Sequence, residues 1–194
     1  MKDEGVYLGA DFTGCDLSGS RLTSVELDGC RLNAVDLSGA HLTSTLFSNV
    51  VIDRSDLSNA RTSKSSFLCV GIRTSRMTGL GWVGGRLRDV TVDDCRLDLA
   101  NFRGTKMTRT IFSGCNLKQA DFQNADISGV IFEDCDLTGV TFSGANMEGT
   151  RIIDSALVGI RGVDSMRGAA VASRDLVALA YSLARALDIN IIDS

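Results

Sequence analysis

Apolar residues recur in this chain every five positions, a spacing that fits neither the 3.6 of a helix nor the 2 of a strand. Taking positions 12, 17, 22 and so on to 157 as centres gives 30 residues, of which all but Thr62 are apolar. Every phenylalanine falls in that register (Phe12, Phe47, Phe67, Phe102, Phe112, Phe122, Phe132 and Phe142), and so does Trp82. A second column, two residues before each centre, holds small or β-branched side chains except at Leu80. The residue just before the centre is often Asp, Glu or Asn, and the residue two after it is glycine in 13 of the 30 cases. The period predicts a short extended piece and a corner, repeated, with one large and one small side chain turned inward from each piece. Gly, Asn and Asp gather near the corner because they tolerate turn conformations that β-branched residues resist. Such units stack as a solenoid in which each coil touches only its neighbours.

The register runs from 10 to 159 without an inserted or deleted residue, so no protruding loop is expected. Its weakest stretch lies between 61 and 90, where Thr62 is a polar centre and Leu80 is a bulky residue in a small slot. Distortion of the coil is expected there, with Gly81, Gly84 and Gly85 making room for Trp82. After Leu157 the pattern decays and the period changes. Leu176, Leu179, Ala180, Leu183 and Leu187 make one stripe of an amphipathic helix. Ser173 stands at the expected N-cap with Asp175 in the first turn. The chain then divides into a lead-in over 1–9, a β-helix over 10–159 and a C-terminal cap over 160–194. A helix covering the last coil hides apolar side chains and unpaired strand groups. Its surplus apolar surface predicts a homodimer through Leu176, Leu179, Leu183, Leu187, Ile189 and Ile191, with a monomeric cap as the alternative.

The segments CDLSG at 15–19, VDLSG at 35–39, ADISG at 125–129 and CDLTG at 135–139 resemble the A(D/N)LxG motif of the pentapeptide repeat family. The resemblance implies an all-β fold, a right-handed quadrilateral parallel β-helix with four pentapeptides per coil, so that residues twenty apart stack on one face. Thirty repeats then make about 7.5 coils, roughly 36 Å of rod at a strand spacing of about 4.8 Å. The loop-free quinolone-resistance members of that family imitate duplex DNA in width, shape and charge. They bind DNA gyrase or a related type II topoisomerase, and similar C-terminal tails make them two-fold dimers. The resemblance implies the same partner and assembly here.

Composition changes this picture little. The chain has 194 residues, a net charge of −4, no proline and one histidine, His41. The mild acidity argues against direct nucleic-acid binding, which usually shows as a basic surplus. The opening MKDEGVYLGADF has no apolar stretch of signal-peptide length, and no segment approaches the roughly 20 apolar residues of a membrane helix. The six cysteines contain no CxxC pair, so a cytoplasmic protein with reduced thiols is expected. His41 shares its column with Arg21 and Arg61 and offers no catalytic triad. Cys15, Cys95, Cys115 and Cys135 fall on one column and could suggest a metal ladder, but they occupy the small inward slot where Ala, Ser and Val sit elsewhere. Buried cysteine is a habitual core residue. No glycine-rich phosphate loop stands outside the five-residue period. The expectation is a binding protein with no catalytic residues, no metal and no cofactor.

Charge is unevenly placed along the rod. Residues 1–60 carry net −5, residues 61–92 net +5, and residues 110–165 net −5. Over the last segment the density approaches one charge per about 2.6 Å, against about 1.7 Å for duplex DNA. Asp121, Asp126, Glu133, Asp134, Asp136 and Glu148 are therefore the candidate partner-binding residues. The basic waist departs from a continuous DNA mimic. An interaction scaffold without a nucleic-acid connection is the rival reading, with outward Ile111, Ile131 and nearby Ile153 as contacts.

Overall fold

Backbone pairing follows the twenty-residue interval. The computed structural model describes residues 1–190, and in it each extended piece pairs in parallel with the piece one coil on. Val6 pairs with Glu26, Glu26 with Leu46, Leu46 with Ser66, Ser66 with Arg86 and Arg86 with Lys106. The chain therefore winds as a parallel β-helix with four faces, right-handed as parallel crossovers are. The faces are named here by their centres: the first holds Phe12 and Leu32, the second Leu17 and Leu37, the third Leu22 and Leu42, the fourth Leu27 and Phe47. Pairing begins at Val6 and Tyr7, before the first predicted repeat.

The corners explain the sequence pattern in detail. All 30 corner positions from Gly14 to Gly159 adopt positive φ, whether glycine or not. They are of two kinds. In a closed corner the carbonyl of the centre accepts the N–H three residues on, as Ala40 does to Leu37 at 3.0 Å and Ala120 to Leu117 at 2.9 Å. Positive φ at the third residue is what such a type II turn requires. The Asp or Asn before the centre holds it shut, accepting the N–H two residues on: Ser38 to Asp36 at 2.8 Å, Gln123 to Asp121 at 2.8 Å, Thr138 to Asp136 at 3.1 Å. This is an Asx turn. On the second face Asp16, Asp36, Asp56, Asn116 and Asp136 set this geometry, and the intervening Arg76 and Arg96 repeats follow it, their turns closed at 3.0 Å.

At an open corner the N–H of the small slot loses that carbonyl and must find another acceptor. On the slot column between the first and second faces a hydroxyl or thiol one coil on takes the bond. Val35 donates to Ser55 Oγ at 3.0 Å, Ser55 to Ser75 Oγ at 3.1 Å, Ser75 to Cys95 Sγ at 3.4 Å, and Cys135 to Ser155 Oγ at 3.1 Å. Slots after closed corners need only be small, and Ala40, Ala60, Ala100 and Ala120 fill them.

Inside, the large centres stack into ladders. Phe112 lies over Phe132 with centroids 5.3 Å apart and planes 8° apart, and Phe102, Phe122 and Phe142 stack at 5.1 and 5.7 Å. The weak stretch keeps its register: Trp82 pairs with Thr62, and its backbone N–H donates to the Asn101 carbonyl at 2.7 Å. The expected distortion is absorbed by side-chain volume instead. Small Thr62 lies beside Trp82, Leu80 fills its slot fully buried, and Gly85 empties the next one. A Cβ at Gly85 would meet the indole Nε1 at under van der Waals distance, whereas one at Gly81 would make ordinary contact and one at Gly84 would meet nothing. Of the three glycines only Gly85 makes room for Trp82; Gly84 serves its corner, at φ 64°.

The coil ends at Gly162, where a 3₁₀ turn over Val163–Met166 replaces a corner and shortens the last pairing interval to nineteen residues, Arg151 with Ala170. A second 3₁₀ turn over Ser173–Asp175 leads into a helix, Leu176–Ala186. Ser173 is therefore not its N-cap, as expected from sequence. The N-cap is Asp175, and its carboxylate is drawn away to accept the Ser155 N–H at 3.2 Å, ending the hydroxyl and thiol column. Arg174 pairs with Asp154 beside it. The helix stops in a Schellman motif: Asp188 takes φ 53° and Ile189 donates to Ala184 at 2.8 Å.

Candidate functional site

The fold turns two residues of each five inward and leaves three on the outside, so any site is a surface made by stacking. His41 is exposed between Arg21 and Arg61, its stacked neighbours. Among the described residues no three His, Cys, Asp or Glu side chains are grouped so as to hold a metal ion. Cys95, Cys115 and Cys135 are buried and free. Their thiols donate to the carbonyl two residues before each, in the preceding repeat, at 3.2 to 3.3 Å. Burial pushes the Cys95 thiol up to about 11, and contact with the Cys135 thiol together with burial raises that of Cys115. Cys95 and Cys115 stay protonated, whereas contact with the Cys115 thiol lowers that of Cys135; all three serve the backbone in a column that holds serine at 55, 75 and 155.

The six candidate carboxylates do not share a face. Asp121 lies on the third, Asp126 and Glu148 on the fourth, Glu133 and Asp134 on the first and its corner, Asp136 on the second. Asp121, Asp126 and Asp136 each close an Asx corner and each pair with a base from the preceding coil: Arg103 at 2.6 Å, Lys106 at 3.6 Å and Lys118 at 3.0 Å. Burial works against ionisation of Asp126, but the Ser128 hydroxyl and N–H and the Lys106 charge outweigh it and hold the carboxyl below the usual range. Asp136 behaves likewise through Thr138 and Lys118. Glu133, Asp134 and Glu148 are exposed and have no ion-pair partner among the described residues. Because Arg103, Lys106 and Arg174 reach into the acidic segment from outside it, its effective charge is below the sequence sum. Sequence spacing hides this, since each pair joins residues eighteen or twenty apart.

The basic waist is likewise thinned. Arg73, Arg76 and Arg88 pair with Asp93, Asp56 and Asp89, leaving Arg61, Lys64 and Arg86 without such partners among the described residues. On the first face Ile111 and Ile131 stack, with Ile153 one column over, all half-buried, and Glu133 and Asp134 at their edge.

Two family descriptions match the sequence: pentapeptide repeats in eight copies over residues 8–39 and 26–63, and a pentapeptide repeat region over residues 85–161. The chain belongs to the pentapeptide repeat family. Similar solved structures include a trypsin-treated variant of QnrB1, a plasmid-mediated fluoroquinolone resistance protein. It is 17% identical over 98% of this chain and 99% of that one, with a TM-score of 0.41. HetL of Nostoc sp. strain PCC 7120, a pentapeptide repeat protein involved in heterocyst differentiation regulation, is 15% identical over 82% and 90%, with a TM-score of 0.41. AT2G44920, from the Arabidopsis thaliana thylakoid lumen, is 23% identical over 60% and 68%, with a TM-score of 0.34. No curated protein sequence matches significantly.

The helix stripe splits on docking. Leu179 is buried at 7% exposure, with Ser182 beside it, while Leu176, Val177, Tyr181, Leu183, Leu187 and Ile189 stay 41 to 72% exposed. A cleft of about 400 Å³ between the helix and the Val163–Met166 turn is lined by Val171, Leu176 and Leu183 among others. Ile191 and Ile192 lie outside the described residues.

Proposed function

We propose that this pentapeptide repeat protein is a non-enzymatic cytoplasmic binding rod that acts as a DNA mimic on a type II topoisomerase such as DNA gyrase, modulating it or protecting it from inhibitors. The observation that carries the reading is the set of exposed carboxylates Glu133, Asp134 and Glu148, without ion-pair partners among the described residues, on one stack of coils. A basic DNA-binding saddle would meet these first, with Asp121, Asp126 and Asp136 able to exchange their weak surface pairs, worth at most about 1 kcal/mol each, for partner cations. A homodimer through the exposed helix leucines would bring two such segments together. Reversing Glu133, Asp134 and Glu148 to lysine should abolish inhibition or protection of gyrase in a supercoiling assay. A native protein that neither binds gyrase at low salt nor alters its supercoiling or drug-induced cleavage would rule the reading out.

A second reading, a protein scaffold with no nucleic-acid connection, is supported by the Ile111, Ile131 and Ile153 cluster on the same face as Glu133. In that case Ile131→Asp should remove binding and the acid reversals should not.

A further inference from the structure

The third face carries charge of one sign across five coils. Its outward residues from Arg21 to Gly104 include Arg21, His41, Arg61, Lys64 and Arg103 and no carboxylate. Asp3 and Glu4 bound it at one end and Asp121 at the other. Arg103 is held by Asp121. Arg21, Arg61 and Lys64 are exposed and have no ion-pair partner among the described residues. The same is true of Arg86 on the adjoining fourth face, which lines with Lys64, Gly84 and Gly85 a groove of about 330 Å³. Arg21, His41 and Arg61 pair in one column, and Thr23, Thr43 and Ser63 in the column beside it. Cations and hydroxyls therefore run in adjacent rows at a step of about 4.8 Å.

We propose that this face binds the phosphate backbone of duplex nucleic acid. Guanidinium, ammonium and Ser/Thr hydroxyl groups are the side chains that contact phosphate. Val83 is the one large apolar side chain exposed on the face, so an apolar partner has little to grip. Single strands are held by exposed aromatics on which bases stack, and here Trp82, Phe102, Phe122 and Phe142 all point inward. No element projects far enough to read base edges in a groove. Contact is thus to the backbone, and indifferent to sequence. The whole-chain charge of −4 conceals the face because the acids lie on the other three or, as Asp3, Glu4 and Asp121 do, at its two ends. The inference draws on residues that the topoisomerase reading does not use.

The test is fluorescence anisotropy of the full chain with a labelled duplex of mixed sequence. With four cations engaged, at about 0.9 per phosphate, log affinity should fall with log salt at a slope near −3.6, roughly 150-fold between 50 and 200 mM. Replacing Arg21, Arg61 and Lys64 together by serine should bring the slope to about −1. The Arg31→Ser, Arg151→Ser control on the first face should leave it unchanged. Circular dichroism and melting would show both variants folded, as the side chains are exposed. Absence of duplex binding at 50 mM salt overturns the proposal, as does a slope untouched by the triple replacement. Equal affinity for polyglutamate or a preference for single strands also overturns it, the first assigning the face to an acidic protein segment.

Discussion

At the scale of single residues, three of the five positions each answer one physical demand. The centre fills the interior, the slot keeps the corner narrow and sometimes supplies a hydroxyl or thiol, and the preceding Asp closes a turn. The first of these was legible from sequence because burial imposes apolarity at a fixed period. Phe122→Ala should accordingly cost about 3–5 kcal/mol, since its ring is fully buried between Phe102 and Phe142. Chemical denaturation reads this directly, and a cost under 1 kcal/mol would displace Phe122 from the core. The turn-closing role of Asp was not legible, because an acidic residue before a centre looks equally like a solvated charge. It has a pH signature. Asp16, Asp126 and Asp136 are held below their ordinary value, so their contribution is complete above about pH 4 and is lost as pH falls through the depressed values. The melting temperature should stay level from neutrality to about pH 4 and drop below it; a rise on acidification would contradict the assignment.

At the scale of elements, the coil and the cap differ in how much the sequence disclosed. The coil repeats one solution thirty times, so a single departure such as Thr62 or Leu80 stands out and its neighbours show the compensation. The cap occurs once. Its 3.6 period announced a helix, but not which side would face the last coil, because the leucine stripe offers more apolar surface than docking needs. Leu179 is the residue taken, and Asp175 leaves its helix to complete the Ser155 hydrogen bond. Two substitutions should separate capping from assembly. Leu179→Ala, a buried large-to-small change costing about 2–5 kcal/mol, should expose the last coil and promote aggregation. Leu183→Lys with Leu187→Lys should convert a dimer to a monomer without aggregation, leaving a melting temperature that no longer depends on protein concentration. Sedimentation of the native chain as a monomer at micromolar concentration would leave the helix as a cap alone.

For the whole molecule, the governing fact is that contacts run only between neighbouring coils, so stability is a sum along one axis. That sum is uneven. Phe12 and Leu17 are only partly buried, Leu22 is 5% exposed, and from Phe122 through Leu157 every centre is at 1% or less. The stacked rings of Phe102, Phe112, Phe122, Phe132 and Phe142 run into this stretch, and each such pair adds about 0.5–1.5 kcal/mol beyond its buried area. Nothing in the spacing of the repeat foretold this gradient, because every centre but Thr62 is apolar in sequence; the first coil has a neighbour on one side only, whereas the last is covered by the cap through Val163 and Leu179. Amide exchange should therefore be slowest between about Phe102 and Ile152 and fastest in the coil that begins at Val6. Leu22→Ala should speed exchange only in the first two coils, since their neighbours can stand without them. Phe122→Ala should speed it along the whole rod, because the coils on both sides lose their best-packed support. Uniform protection from Val6 to Ile152 in the native protein would mean that the rod opens as one unit, and the nearest-neighbour description would fail.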